Sequence, residues 1–527
     1  MQNSLAEPPV KHIAIVGGGT AGWMTALLLS NSKFGARLRV TVLDAPTAEV
    51  VGLDEGSTPW LRGFFDSLGI DEAAWMPACD ATCKSGIAFE GWSTRPGHQS
   101  WFHPFPSILD SLTLPPFLRN VHARLTGADV HAHPDRFFMS RSVALEGRAP
   151  RPAHAFPFEL GYGYHVDATR LGAFLRAKAL ERGVVHVARP MHSATRDERG
   201  DICSLELDGG DRLAADFFVD CSGFASLLLG KALETPYLSF STMLFNDAAI
   251  EMPTPDDDGP LMSQTVSTGM KHGWAWRFPL TSRNSNGYVY SGAHVSADAA
   301  ETELRTHLGL LGADVPARHH RMRVGRHARH WSRNCVAIGA SQGFIEPLQG
   351  TVLQSAQRAA ASFVDVLERG DLGDAARAAF NDGLNARMDG ERDYIVAHYK
   401  TNTRTDTDYW RANAANSVLS EPLQLLLRTW LSSQPIEPGI EGGAFGTGYA
   451  ASSWYCLLAG VGLFPQVRRD ASAAGADLAG IDNFIQRSTP NFPDHRAWLR
   501  DIPSHAERID LRRQPADGGR RATLGAL

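Results

Sequence analysis

The sequence predicts an α/β protein built on a Rossmann-type βαβ unit, with a second sheet inserted and a helical region after it. Three observations carry this. A glycine-rich turn, Gly17-Gly-Gly-Thr-Ala-Gly22, sits between an apolar strand and an apolar helix start. Short apolar strand segments return at widely separated places: 39–43, 184–187, 216–220 and 335–338. From about 370 to 500 the pattern turns helical and rich in Ala and Leu.

His12-Ile-Ala-Ile-Val16 reads as a buried parallel strand, because its apolar run is continuous rather than alternating. The helix begins at Trp23-Met-Thr-Ala-Leu-Leu-Leu-Ser, and Arg39-Val-Thr-Val-Leu43 is the second strand, ending at Asp44. Glycines in such a turn let the backbone approach a pyrophosphate, and the helix N-terminus stabilises its charge. Asp44 stands at the distance where a carboxylate accepts hydrogen bonds from a ribose. A second match to the loose pattern, Gly446 to Ala451, has no apolar strand before it and is expected to be loop.

Tyr164 to Leu171 leads into an amphipathic helix through Phe174-Leu-Arg-Ala-Lys-Ala-Leu180, entered from Asp167. The strand Cys335-Val-Ala-Ile338 ends at Gly339 and precedes a long helix from about Thr351 to Leu367. The expected organisation is a leader over 1–10 and a nucleotide-binding core over 11–368 with an inserted sheet at about 225–325. A helical cap over 369–504 and a loose polar tail over 505–527 complete it.

At 527 residues the chain is long enough for one large or two fused domains. A hydrophobic share of 43% and a charged share of 20% exclude a disordered chain. The net charge of -6 gives no basis for nucleic acid or an acidic membrane surface as partner. The arginine-rich stretch Arg318 to Arg333 is expected to be local, with Arg321-Met-Arg-Val-Gly-Arg326 alternating as an exposed strand face.

The six cysteines are scattered without zinc-ribbon spacing, and most sit among apolar residues, which fits a reducing cytoplasm. No basic n-region with an apolar run opens the chain, so no secretory signal is expected. The longest apolar run, Trp454 to Phe464, is too short and too Gly-rich to span a bilayer. His319, His320, His327 and His330 lie among arginines that repel a dication, so no metal site is expected.

Two features ask for more than packing. Trp274 and Trp276 lie at strand spacing in Gly273-Trp-Ala-Trp-Arg-Phe-Pro-Leu280, so both indoles point to one face. By themselves they read as two core aromatics on a buried strand. Lys84 lies among small and apolar neighbours in Ala81 to Trp92, and by itself reads as a surface lysine at a strand start.

Together these segments resemble the flavin-dependent tryptophan halogenases. The chain repeats their W-x-W-x-I-P run with Phe278 in place of Ile, and carries the dinucleotide turn, the isolated lysine and a Phe-Ile-Glu-Pro-Leu turn. The resemblance runs from about residue 11 to residue 465. It implies an FAD-binding, flavin-monooxygenase-like fold whose helical region caps the substrate. It further implies halogenation of an electron-rich aromatic, indole or a tryptophan-like indole, by hypohalous acid made from FADH2, O2 and chloride or bromide. Lys84 would deliver the halogen, and Trp274 and Trp276 would bar the arene from the flavin while passing the oxidant.

The same resemblance implies flavin contacts at Gly17, Gly19, Thr20, Ala21, Gly22, Asp44, Met191, Ala340 and Leu353. It places halide at the amides of Thr351 and Val352, at a helix N-terminus. The family's P-L-E-S-T-G run reads Pro347-Leu-Gln-Gly-Thr-Val352 here, so its glutamate becomes Gln349 and its serine Gly350. Gln donates and accepts but is no base, which leaves Glu346 as a substitute carboxylate or a structural group.

His103 and Phe105 match residues that stack on the arene, and Tyr449 and Trp454 offer the opposite wall. The groups that would grip an amino acid's charges are not visible, so free indole stands beside tryptophan. With one dinucleotide turn, reduced cofactor would come from a separate NADH-dependent flavin reductase. A homodimer is left open. The alternatives are an aromatic hydroxylase and a non-catalytic flavin-binding protein.

Overall fold

The computed structural model describes residues 7–45, 55–152, 159–256, 258–446, 448–466 and 475–510, with side chains in the last stretch described to Ile502. The first strand, His12–Val16, is central in a six-stranded sheet. It pairs in parallel with Arg39–Asp44 on one side and Phe217–Asp220 on the other, and Val185–Ala188 and Cys335–Ala337 extend the sheet outward in parallel. The central strands His12–Val16, Phe217–Asp220 and Cys335–Ala337 are buried almost throughout, which matches their apolar runs, while the edge strand Val185–Ala188 is exposed or half-buried along its length.

The helix after the glycine turn, Thr20–Asn31, packs against the helices Ala168–Glu181 and Val352–Arg369. Apolar nearly all round, it is buried between them and the sheet. Asp167 caps Ala168–Glu181 by accepting from the backbone N–H of Arg170, 2.8 Å away.

A seven-stranded sheet forms the second layer. Its order is Arg318–Arg321, Ala248–Glu251, Asn284–Tyr290, Gly273–Pro279, Thr265–Gly269, Gly86–Glu90, Ser100–Pro104. Its last two strands come from the segment just after Lys84, so this sheet reaches upstream of 225. A small three-stranded sheet lies at the junction, with Gly163–Val166 flanked by Glu55–Gly56 and Thr82–Lys84. The long helix Asp374–Lys400 and the shorter helices after it build the aromatic core that includes Tyr394, Trp410, Trp430 and Trp454.

Arg326 departs from the exposed face expected of it. It is buried and forms a two-pronged pair with Asp389 at 3.0 and 2.8 Å. The guanidinium is satisfied inside, which simple alternation cannot foresee. Among the cysteines with described surroundings, Cys203 is exposed and the other five are buried. Of the expected leader, residues 1–6 lie outside the described residues, as does the expected tail from 511 onward. Among the described residues no helix is long and apolar enough to cross a membrane.

Candidate active site

The glycine turn has the shape of a dinucleotide cradle. Gly17 has φ +114°, and a β-carbon there would meet the Cys221 carbonyl oxygen at 2.1 Å. One on Gly22 would meet the Gly17 carbonyl at 2.0 Å. At Gly18 the obstacle would be the Asp44 carboxylate, 2.4 Å away, so the acid stands over the turn. Gly19 faces open space and is the N-cap of Thr20–Asn31, with no side chain capping the helix amides. Open amides at a helix N-terminus beside a carboxylate suit the pyrophosphate and ribose of a dinucleotide.

Around that turn, Ala21 lies against Gly339, where a β-carbon would come within 2.8 Å of it. Ala340 lines the cavity described next. Met191 opens the strand Met191–Arg196 and packs against the hydrophobic cluster that includes Val16 and Leu43. Leu353 is buried in the core with Trp23.

A cavity of about 130 Å³ joins the two layers. Lys84, Thr265, Trp274, Trp276, Ala340, Pro347, Gly350 and Val352 are among its walls. Residues from distant segments of the chain thus line one space.

Lys84 is buried, and its pKa falls from 10.5 to about 7 because burial disfavours the ammonium. Its Nζ lies 5.4 Å from the centre of the Phe105 ring. A β-carbon on Gly350 would stand 2.8 Å from Nζ and 2.3 Å from the Gly56 carbonyl, and Gly350 has φ +68°. Glycine at this position is what lets the amine lie against the turn. The strand carrying Lys84 is pinned from far away. Cys83 N–H donates to Nε2 of His495 at 3.0 Å, and His495 Nδ1 donates to the Leu261 carbonyl at 2.9 Å.

Both indoles are buried, with ring centres 6.3 Å apart and planes tilted by 57°. The outer edge of the Trp276 indole lies against Gly287 of the neighbouring strand, where a β-carbon would be 2.0 Å from its ring. Trp274 Nε1–H donates to Glu346 Oε2 at 2.7 Å. The same oxygen accepts from Tyr399 at 2.6 Å and Asn246 at 2.9 Å. Burial raises the Glu346 pKa, while these three donors oppose the rise. Glu346 is thereby fixed behind Trp274.

Gln349 points the other way, with its side-chain nitrogen 3.0 Å from Nε2 of His398. His398 Nδ1 donates to the Tyr394 carbonyl at 2.8 Å, and burial drops its pKa to about 3. The ring is therefore neutral with a bare Nε2, and Gln349 is the donor.

Thr351 is the N-cap of the 18-residue helix Val352–Arg369 and makes no side-chain cap. Its amide end opens beside the cavity wall formed by Val352. A helix end of this kind favours an anion.

His103 is buried close to Lys84, with neither ring nitrogen hydrogen-bonded among the described residues. Burial and then the nearby Lys84 lower its pKa to about 4. Its ring is 6.1 Å from that of Tyr394. Tyr394 stacks on Tyr449 at 3.7 Å and meets Trp454 edge-on at 4.8 Å. Tyr394 thus links His103 to Tyr449 and Trp454 by direct ring packing, while the neighbouring Lys84 lines the cavity and His103, Phe105, Tyr449 and Trp454 lie outside its walls. Sequence reasoning missed Tyr394 and His398. Their spacing of four on one helix, both facing the core, was the available signal.

Comparison with known proteins matches the chain to one family. Residues 12–477 match the family described as tryptophan halogenase. The chain is 35% identical to the 7-chloro-L-tryptophan 6-halogenase KtzR of Kutzneria sp. (strain 744), over 94% of this chain and 98% of that protein. The crystal structure of the tryptophan 6-halogenase SttH from Streptomyces toxytricini superposes with a TM-score of 0.82 at 33% identity, covering 93% of this chain and 99% of that one. Xcc4156, a flavin-dependent halogenase from Xanthomonas campestris, superposes with a TM-score of 0.81 at 29% identity, covering 94% and 98%.

Proposed function

Because the chain belongs to the tryptophan halogenase family of flavin-dependent enzymes, we propose that it halogenates an electron-rich arene, indole or a tryptophan-like indole, at Lys84. The observation that carries this reading is the cavity shared by Lys84, Trp274, Trp276 and the 350–352 turn. A hydroxylase needs neither a buried amine nor an indole barrier at this place, and a non-catalytic flavin protein needs no such cavity.

In this reading Gly17, Gly19, Thr20, Ala21 and Gly22 would hold FAD, with Asp44 toward its ribose and Met191, Ala340 and Leu353 beside it. Reduced by a separate NADH-dependent flavin reductase, the bound cofactor would supply hypohalous acid from O2 and chloride or bromide. The amides of Thr351 and Val352 hold the halide. Trp274 and Trp276 keep the arene away from the flavin, and Glu346 anchors Trp274 rather than acting on substrate.

Lys84 takes the halogen as a neutral amine, the form that a dry pocket favours. Its confinement holds the electrophile at a fixed distance from the arene. His103, Phe105, Tyr449 and Trp454 form the aromatic slot, and the two free nitrogens of His103 offer the arene a donor and an acceptor. Gln349 fixes His398 instead of handling protons.

The test is turnover with FAD, a flavin reductase and NADH, in chloride or bromide, with indole, tryptophan and a phenol in competition. Products with halogen isotope doublets are expected, and indole compounds should lead. Products heavier by one oxygen would make the protein a hydroxylase.

A further inference from the structure

Behind Lys84 the three-stranded sheet sets Thr82, His165 and Gly56 in one row, since His165 is the partner of both others. His165 is fully buried and stacks on Phe278 at 4.6 Å. Thr82 Oγ1 is 3.1 Å from its Nδ1 and Thr265 Oγ1 is 3.0 Å from its Nε2.

Counting donors fixes every proton in this row. The single hydroxyl proton of Thr82 goes to the Pro279 carbonyl, 2.7 Å away, because a carbonyl only accepts. The Thr82 oxygen must then accept from Nδ1–H of His165. Burial first, then the neighbouring titratable groups Lys84 and His495, push the His165 pKa well down, so the ring is neutral and, with its proton on Nδ1, Nε2 carries none. Nε2 can only accept, and the hydroxyl of Thr265 donates to it.

Thr265 therefore turns its proton away from the cavity it lines and faces that space with lone pairs alone. A β-carbon on Gly56 would stand 2.9 Å from Lys84 Nζ and 3.2 Å from Thr265 Oγ1. The amine and the acceptor flank one small gap that exists because Gly56 has no side chain.

We propose that Thr265 orients hypohalous acid at Lys84: its oxygen accepts the O–H of the acid, which turns the halogen toward Nζ. Thr82 and His165 act behind it as positioning residues that hold its proton. The step balances without a further reagent. The Lys84 nitrogen pair forms the N–halogen bond, the O–halogen bond breaks, and the departing hydroxide takes the amine proton as water. This rests on the halogenase reading and adds to it a reason for the halogen to arrive in one orientation.

The test compares Thr265→Val, which keeps the shape and removes the acceptor, with Thr265→Ser, which keeps both the acceptor and the donor. In bromide, with reductase and NADH, the readout is the share of oxidant found as bromoarene against the share caught by a dimedone trap. Thr265→Val should lower the bromoarene share by about tenfold, the worth of one hydrogen bond, with total oxidant per NADH unchanged. Thr265→Ser should stay near the parent. An unchanged share in Thr265→Val, or an equal fall in Thr265→Ser, overturns the proposal.

Nitrogen NMR of His165, assigned by difference with His165→Asn, gives a second readout free of turnover. A proton on Nδ1 and none on Nε2 is expected, and the opposite tautomer overturns the relay. If the parent protein makes neither oxidant nor bromoarene, the halogenase reading itself falls, a result distinct from either variant outcome.

Discussion

Gln349 donates its side-chain amide to Nε2 of His398 across 3.0 Å in a fully buried pair. The family's glutamate could not make this bond to a neutral ring, since a carboxylate offers no proton to a bare nitrogen. The amide and the neutral imidazole match each other.

Gln349→Glu should therefore force one of the pair to take up a proton. Shared between carboxylate and imidazole, it should raise the His398 pKa from about 3 toward the ordinary range, because an opposite charge favours the imidazolium. Nitrogen NMR of His398 across pH 4–8 checks this, and arene turnover should acquire a new pH dependence in that window.

Gly350→Ala tests why this turn lacks a side chain. The added β-carbon would meet Nζ of Lys84 at 2.8 Å and the Gly56 carbonyl at 2.3 Å, in a backbone conformation that L side chains disfavour. Lys84 must move, so halogenated product should fall by at least about tenfold while FAD affinity holds. Product yield and flavin titration measure the two.

Glu346→Leu would leave the indole N–H of Trp274, the Tyr399 hydroxyl and the Asn246 amide without their shared acceptor. Each buried donor left unsatisfied costs about 1–3 kcal/mol. Denaturant unfolding should show that loss, and with Trp274 released more oxidant should reach the trap. Glu346→Gln keeps an acceptor oxygen and should lose less on both counts.

Lys84→Met addresses stability. The folded-state pKa of about 7 lies below the value of 10.5, so folding must hold a buried charge at low pH. That penalty is complete below pH about 7 and fades as pH rises toward 10.5, where the unfolded chain also loses its proton. Lys84→Met should thus unfold at higher denaturant than the parent at pH 6, with the gain shrinking at pH 9.5.

Much of this architecture was legible in the chain. Continuous apolar runs marked the central strands, and Asp167 announced its helix, because local capping and burial on both faces leave direct traces in sequence. The meeting of Lys84 with Trp274, Trp276 and Val352 was legible only through resemblance, since no local pattern encodes contacts over such separations.

What stayed hidden were partners set by tertiary packing. His495 pins the backbone before Lys84 from 412 positions away, and His398 satisfies Gln349 from a different helix. Glu346 read as a substitute carboxylate or a structural group, because its neighbours in sequence say nothing of Trp274, Asn246 and Tyr399 converging on it. Arg326 looked exposed for the same reason, its partner Asp389 lying on another element.

The most direct measurement is Lys84→Ala assayed beside the parent for bromoindole, trapped oxidant and FAD affinity. The account predicts that bromoindole is lost while FAD binds as before and oxidant still reaches the trap. Bromoindole formed at the parent rate by Lys84→Ala would contradict it.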